Sequence, residues 1–155
     1  MLKISEKKRV VVIGVGNLLL GDEGVGVRVV EELTEMDLPP HVEVVDGGTG
    51  GIVLLNLMEG ADRVILVDAV LGGGSPGEIY VLSLDRLMGG RVKFFSLHEM
   101  DLLSVLRIGK ELGTLPPELV LIGVEPKNYQ EYTMELSPEV RAAIPRVIEK
   151  VIELL

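Results

Sequence analysis

An apolar run that stops on a glycine-rich turn does most to limit what this chain can fold into. Residues 10–13 are Val-Val-Val-Ile, and Gly14-Val15-Gly16-Asn17-Leu18-Leu19-Leu20-Gly21-Asp22-Glu23-Gly24-Val25-Gly26 follows at once. From Val25 the spacing of Val25, Val29, Val30 and Leu33 predicts a helix over residues 25–36. A buried strand therefore passes through a tight turn into a helix, the opening unit of a parallel α/β sheet. Two adjacent carboxylates, Asp22 and Glu23, stand at that turn. Acidic groups at a helix start complement its positive end, so one role for them is structural. Asp22 is expected to cap the helix, which leaves Glu23 free to point outward.

The rest of the chain repeats this grammar. Residues 42–45 read as a second strand, Asp46-Gly47-Gly48-Thr49-Gly50-Gly51 as a second glycine-rich loop, and residues 52–58 as a short helix closed by Gly60. Residues 63–67 form a third strand that delivers Asp68. This βαβαβ order predicts parallel neighbours joined by right-handed crossovers. Residues 71–77 are too few for a crossover helix, so residues 78–82 should run antiparallel to the third strand, on or near an edge. Residues 85–90 read as a turn or short helix, and 92–95 as extended. Ser96-Leu97-His98-Glu99 has the form of a capping box before a helix that carries Met100, Leu103, Leu106 and Leu112 on its apolar side and ends near Gly113. Residues 119–124 are the last strand. Ser137-Pro138 opens a terminal helix with a capping serine, which Pro145 should kink or split.

The expected fold is α/β: a single three-layer domain over residues 1–155, with a mixed, mostly parallel twisted sheet of about five strands and helices on both faces. Composition agrees. The chain has 155 residues, the size of one domain. Aromatics make up 3% of it, so its core must be Val, Ile and Leu, the composition of a sheet buried on both faces. A net charge of −9 argues against a nucleic-acid partner. The absence of cysteine removes thiolate nucleophiles, disulfides and Cys-type zinc sites together, and fits a cytoplasmic setting. No apolar run approaches the ~20 residues that span a bilayer, so membrane insertion is not expected.

Ligands of open α/β sheets sit outside the carboxyl ends of the parallel strands. That rule gathers Asn17, Asp22, Glu23, Asp46, Thr49, Asp68 and Glu125 on one edge, and His98, at a predicted helix start, can face the same side. Glu23, Asp68 and His98 would offer two oxygen donors and an imidazole, a set suited to nickel or zinc with a position left open. Each also has a plain structural reading: Asp68 accepting from the next loop, His98 lying near a helix start, Asp46 closing a turn. Nucleotide motifs fit poorly. Gly14-Val15-Gly16 lacks the third glycine of the dinucleotide pattern and carries acids where a pyrophosphate would lie, so no nucleotide is expected. No His-Glu-x-x-His helix occurs.

Taken as an ordered set, Gly14-Val15-Gly16-Asn17, Asp22-Glu23-Gly24-Val25-Gly26, Asp46-Gly47-Gly48-Thr49, Val67-Asp68-Ala69, His98 and Gly123-Val124-x-Pro126 resemble the hydrogenase maturation proteases. The resemblance implies an endopeptidase that removes the C-terminal extension of a nickel–iron hydrogenase large-subunit precursor after nickel insertion. It maps the nickel-contacting positions onto Glu23, Asp68 and His98, with the nickel carried by the substrate. It leaves open whether the metal or a carboxylate such as Asp46 activates water. Two related roles share these motifs: a nickel-binding accessory protein that does not cut, and a protease of the same fold acting on another precursor.

Overall fold

The computed structural model describes residues 8–89, 95–96 and 102–155. Its strands form along the apolar runs and its helices along the 3.6-residue patterns between them. Strand β1 (Val10–Gly14) lies at the centre of a parallel group, paired on one side with β2 (Val42–Asp46) and on the other with β3 (Arg63–Leu71). Strand β6 (Glu118–Val124) continues the parallel set beside β3, and β4 (Ile79–Ser83) closes the edge antiparallel to β6, giving the order β2-β1-β3-β6-β4. The short connection before β4 thus has the predicted consequence, an antiparallel edge strand, with β6 as its neighbour. A two-residue strand β5 (Phe95–Ser96) pairs with Val70 and Leu71 at the far end of β3.

Alternation along the strands builds two cores. Val11, Ile13, Val64, Leu66, Leu119 and Leu121 face helices α2 (Val53–Met58), α3 (Leu84–Met88) and α4 (Leu102–Leu112). Val10, Val12, Ile65, Val67, Ile122 and Val124 face α1 (Val25–Thr34) and α5 (Pro138–Glu153). Such a sheet, buried on both sides, needs the continuous β-branched runs seen in β1 and β3. No helix among the described residues is long and apolar enough to cross a membrane.

Several local expectations are corrected by packing. β3 does not end at Val67: Asp68 and Ala69 stay in register with Gly123 and Val124, because β6 extends past β1 and supplies hydrogen-bond partners for a longer strand. Pro145 does not split the terminal helix, which runs as one element from Pro138 to Glu153 with Ile144 and Val147 buried on either side of the proline. Ser96 is a strand residue paired to Val70, and the rest of the predicted capping box, Leu97 to Glu99, lies outside the described residues, as does Met100. In α4 the buried face is Leu102, Val105, Leu106 and Gly109, while Leu112 is 66% exposed. Gly109 brings the helix so close to Leu115 and Leu55 that this face, not Leu112, meets the core.

Candidate active site

The glycines of the opening turn are there for close approach. A Cβ built on Gly26 would run into the carbonyl oxygens of Val67 and Val15, and one on Gly14 would run into the carbonyl of Gly26. One on Gly16 would meet the carbonyl of Glu23. Bare backbone at these three positions lets α1 start directly against the ends of β1 and β3. Val15 N–H then donates to Val67 O at 2.8 Å. The pattern that looks like an incomplete nucleotide loop is accounted for by packing.

This packing brings into contact the elements that carry two of the predicted residues. Glu23 sits in a single 3₁₀ turn, Gly21–Gly24, that contacts β3. Asp68 lies on β3 one residue past Val67, the partner of Gly14 at the end of β1. Both carboxylates are withdrawn from solvent, Glu23 at 6% exposure and Asp68 at 0%. Asp68 Oδ1 accepts from Ala69 N–H at 2.8 Å, which fixes the carboxylate in place. His98 lies outside the described residues. Ser96, two residues before it in the chain, pairs with Val70, two residues after Asp68. Among the described residues, no group of three or more His, Asp or Glu side chains is placed to hold a metal ion.

Asp46 stands apart from this pair. It closes β2, is exposed, and its Oδ1 accepts from Gly48 N–H at 2.7 Å, an Asx turn that shapes the Gly47–Gly51 loop. In register it lies opposite Gly14, with Val67 on the far side of β1, so about 9–10 Å separates its backbone from that of Val67.

Asp22 corrects the sequence reading most sharply. It is not a helix cap: Leu20 caps the turn and Gly24 caps α1, both without a side-chain bond. Its fully buried carboxylate instead accepts four hydrogen bonds from the segment between β6 and α5. Oδ2 accepts from Lys127 N–H and Asn128 N–H, each at 2.9 Å, and from Ser137 Oγ at 2.7 Å. Oδ1 accepts from Ser137 N–H at 2.7 Å. Ser137 is the first residue of the α5 cap, but its hydroxyl serves Asp22 and not the helix.

Glu125, gathered on this edge by the strand-end rule, has a similar task. It is buried, and its Oε1 accepts from Gly72 N–H (2.8 Å), Gly74 N–H (3.0 Å) and the Tyr80 hydroxyl (2.7 Å). The loop from β3 to β4 is folded around this one carboxylate. Burial, and then the bond to Glu125, push the Tyr80 phenol from its ordinary 10.0 up to about 12. The folded protein therefore holds this proton where the unfolded chain has lost it. The contribution is complete below pH 10 and is lost as pH rises toward 12. Alkaline unfolding should show a decline in stability across that window. Tyr80→Phe should remove that part of the decline, and a phenolate absorbance step near pH 12 should vanish with it.

The fold and the site together define an α/β protein whose parallel strands converge on a partly buried, carboxylate-lined edge. Comparisons with known proteins take this further. The profile described as hydrogenase maturation protease matches residues 27–154. The hydrogenase 2 maturation protease of Escherichia coli K12 is 37% identical over 149 residues, covering 95% of this chain and 90% of that one. The hydrogenase expression/formation protein HupD of Bradyrhizobium diazoefficiens is 38% identical over 155 residues, covering 97% and 80%. Among solved structures, the hydrogenase maturating endopeptidase HybD from E. coli superimposes with a TM-score of 0.84 at 37% identity, over 95% of this chain and 91% of that one. The [NiFe] hydrogenase maturation protease HycI from Thermococcus kodakarensis gives 0.75 at 31% identity, over 97% and 94%. The chain belongs to the hydrogenase maturation protease family and is a peptidase.

Proposed function

We propose that this peptidase removes the C-terminal extension of a nickel–iron hydrogenase large-subunit precursor in the cytoplasm after nickel insertion, and that it reads the substrate's nickel through Glu23, Asp68 and His98. The observation that supports this reading is the burial of two carboxylates, Glu23 and Asp68, on a turn and a strand that the glycine contacts of α1 hold against each other. Two carboxylates held in a low-exposure site favour a divalent cation that arrives with the substrate. The pairing of Ser96 to Val70, two residues past Asp68, supports including His98 as the third donor.

In this mechanism the precursor's nickel engages the trio and holds the scissile peptide across the carboxyl edge. Positioning alone is worth several orders of magnitude in rate when the reacting groups are aligned. Asp46, two strands away and open to solvent, is outside the nickel-holding set and close enough to the peptide's path to serve as general base.

The test is mass spectrometry of nickel-loaded and nickel-free precursor after incubation with the protein. Only the loaded form should be trimmed; equal cutting of both forms ends the nickel-gating idea. Glu23→Gln, Asp68→Asn and His98→Ala should each lower cleavage by at least about 10²-fold. Asp46→Asn should slow the cut while leaving its nickel dependence intact. Normal cutting by all three trio variants would reduce Glu23, Asp68 and His98 to structural roles.

A further inference from the structure

We propose that Leu19, Tyr132 and Met134 form the ridge on which the precursor docks, and that the docked segment carries an apolar side chain beside a basic one. The inference rests on the endopeptidase reading above and adds where and by what chemistry the substrate is gripped.

Two loops that are far apart in sequence are stitched together here. Leu20 and Thr133 form a parallel bridge, with Thr133 N–H donating to Leu19 O at 2.9 Å and Gly21 N–H donating to Thr133 O at 2.8 Å. Asp22 N–H donates to Asn128 O at 2.7 Å. Below the bridge, the Asp22 carboxylate holds both ends of the Lys127–Ser137 segment. Arg28 Nη2 adds a bond to Met134 O at 2.8 Å. The backbone of this segment is therefore held at Lys127–Asn128, at Thr133–Met134 and at Ser137.

Leu20 and Thr133, the bridged pair, are half-buried. Their chain neighbours Leu19, Tyr132 and Met134 are 55%, 85% and 55% exposed, so the bridge gathers three exposed apolar side chains at one place on the surface. The β6–α5 connection has no folding reason to hold Tyr132 and Met134 in water, nor the β1–α1 loop to hold Leu19, since each exposes surface that burial would stabilise. An aromatic, a methionine and a leucine on a pre-ordered backbone are what a binding surface needs: the ordering entropy is already met, and these side chain types carry interface energy.

Position identifies the occupant. Leu19 lies four residues before Glu23, just ahead of the 3₁₀ turn Gly21–Gly24, so a substrate that presents its nickel to Glu23 passes close to the ridge. Charge sets the rest. Glu131 and Glu135 flank the ridge and are exposed, while the nearby Lys127 is engaged with Glu139 at 3.1 Å. An acidic rim around an apolar centre steers a basic segment and disfavours an acidic one.

The experiment has two readouts. Cleavage of nickel-loaded precursor is followed for wild type, Tyr132→Ser with Met134→Ser, and Glu131→Lys with Glu135→Lys. Binding of the same precursor is followed on a Glu23→Gln background. We expect KM to rise about tenfold or more in the serine variant with kcat within about twofold. Association should slow in the charge-reversed variant, most at low salt. An unchanged KM and unchanged binding in the serine variant would overturn the ridge while leaving the endopeptidase reading intact. Unchanged association in the lysine variant would overturn the basic segment. If wild type binds precursor in a ridge-dependent way without cutting it, the ridge stands and the endopeptidase reading falls.

Discussion

Replacing Asp22 with alanine should lower the unfolding free energy by about 3–5 kcal/mol, a large share of a small domain's stability. Three backbone N–H groups and the Ser137 hydroxyl would lose their acceptor at once. The site is fully buried, so water does not readily replace the carboxylate, and unmet buried donors carry the full cost of desolvation. Asparagine keeps the shape but turns one side of the group into a donor. That donor must face either Ser137 N–H or the N–H pair of Lys127 and Asn128, so Asp22→Asn should fall between alanine and wild type. Ser137→Ala removes only one of the four bonds and should cost about 1 kcal/mol. In the double variant the two losses should overlap, giving a coupling energy of about 1 kcal/mol. Urea unfolding of the wild type and the four variants measures all of this. A loss below about 1 kcal/mol for Asp22→Ala would mean that the anchor holds geometry without contributing stability. Activity should follow stability down, because the segment released is the one that meets the turn of Glu23.

Asp22 also marks the boundary of what could be read from the sequence. The order of strands and helices, the parallel sheet and the antiparallel edge strand were all legible, because periodicity and connection length are local signals. The contact of the turn that holds Glu23 with the strand that holds Asp68 was legible too, since the strand-end rule needs only topology. What failed were inferences that let a local rule stand for a distant partner. Asp22 obeys the local rule for a helix cap, yet its four donors lie 105 to 115 residues away. Ser137 obeys the same rule and gives its hydroxyl to Asp22. Asp68 looked like a strand end because it is charged; β6 carries the strand onward by pairing Gly123 with it. The one available hint to Asp22's true role was the adjacency of two acids, since a turn of four residues does not need both for its own closure. The exposed Leu19 and Tyr132 could not be told from core residues by type, because their exposure follows from a bridge between loops more than a hundred residues apart.

Gly26→Ala should lower cleavage about 10²-fold and reduce stability by about 1–3 kcal/mol. Propensity alone points the other way: inside a helix alanine is favoured over glycine by about 1 kcal/mol. The contacts reverse the sign. A methyl group at Gly26 meets the carbonyl oxygens of Val67 and Val15, and lies 2.8 Å from Val15 N. These are backbone atoms of the central strands, held by the β1–β3 and β3–β6 ladders. They cannot rotate away as a side chain could, so α1 must move. The 3₁₀ turn with Glu23 is continuous with α1 and would move with it, while Asp68 stays fixed in β3. If the two groups act on one metal, as proposed above, a displacement on the order of 1 Å between them is enough for a loss of this size. Stability and cleavage therefore respond through one displacement. Suppressing the stability loss with a stabilising co-solvent should recover folded protein without recovering rate. Wild-type rates in Gly26→Ala would show that the close approach of α1 to β3 is packing alone and does not set the distance between the two carboxylates.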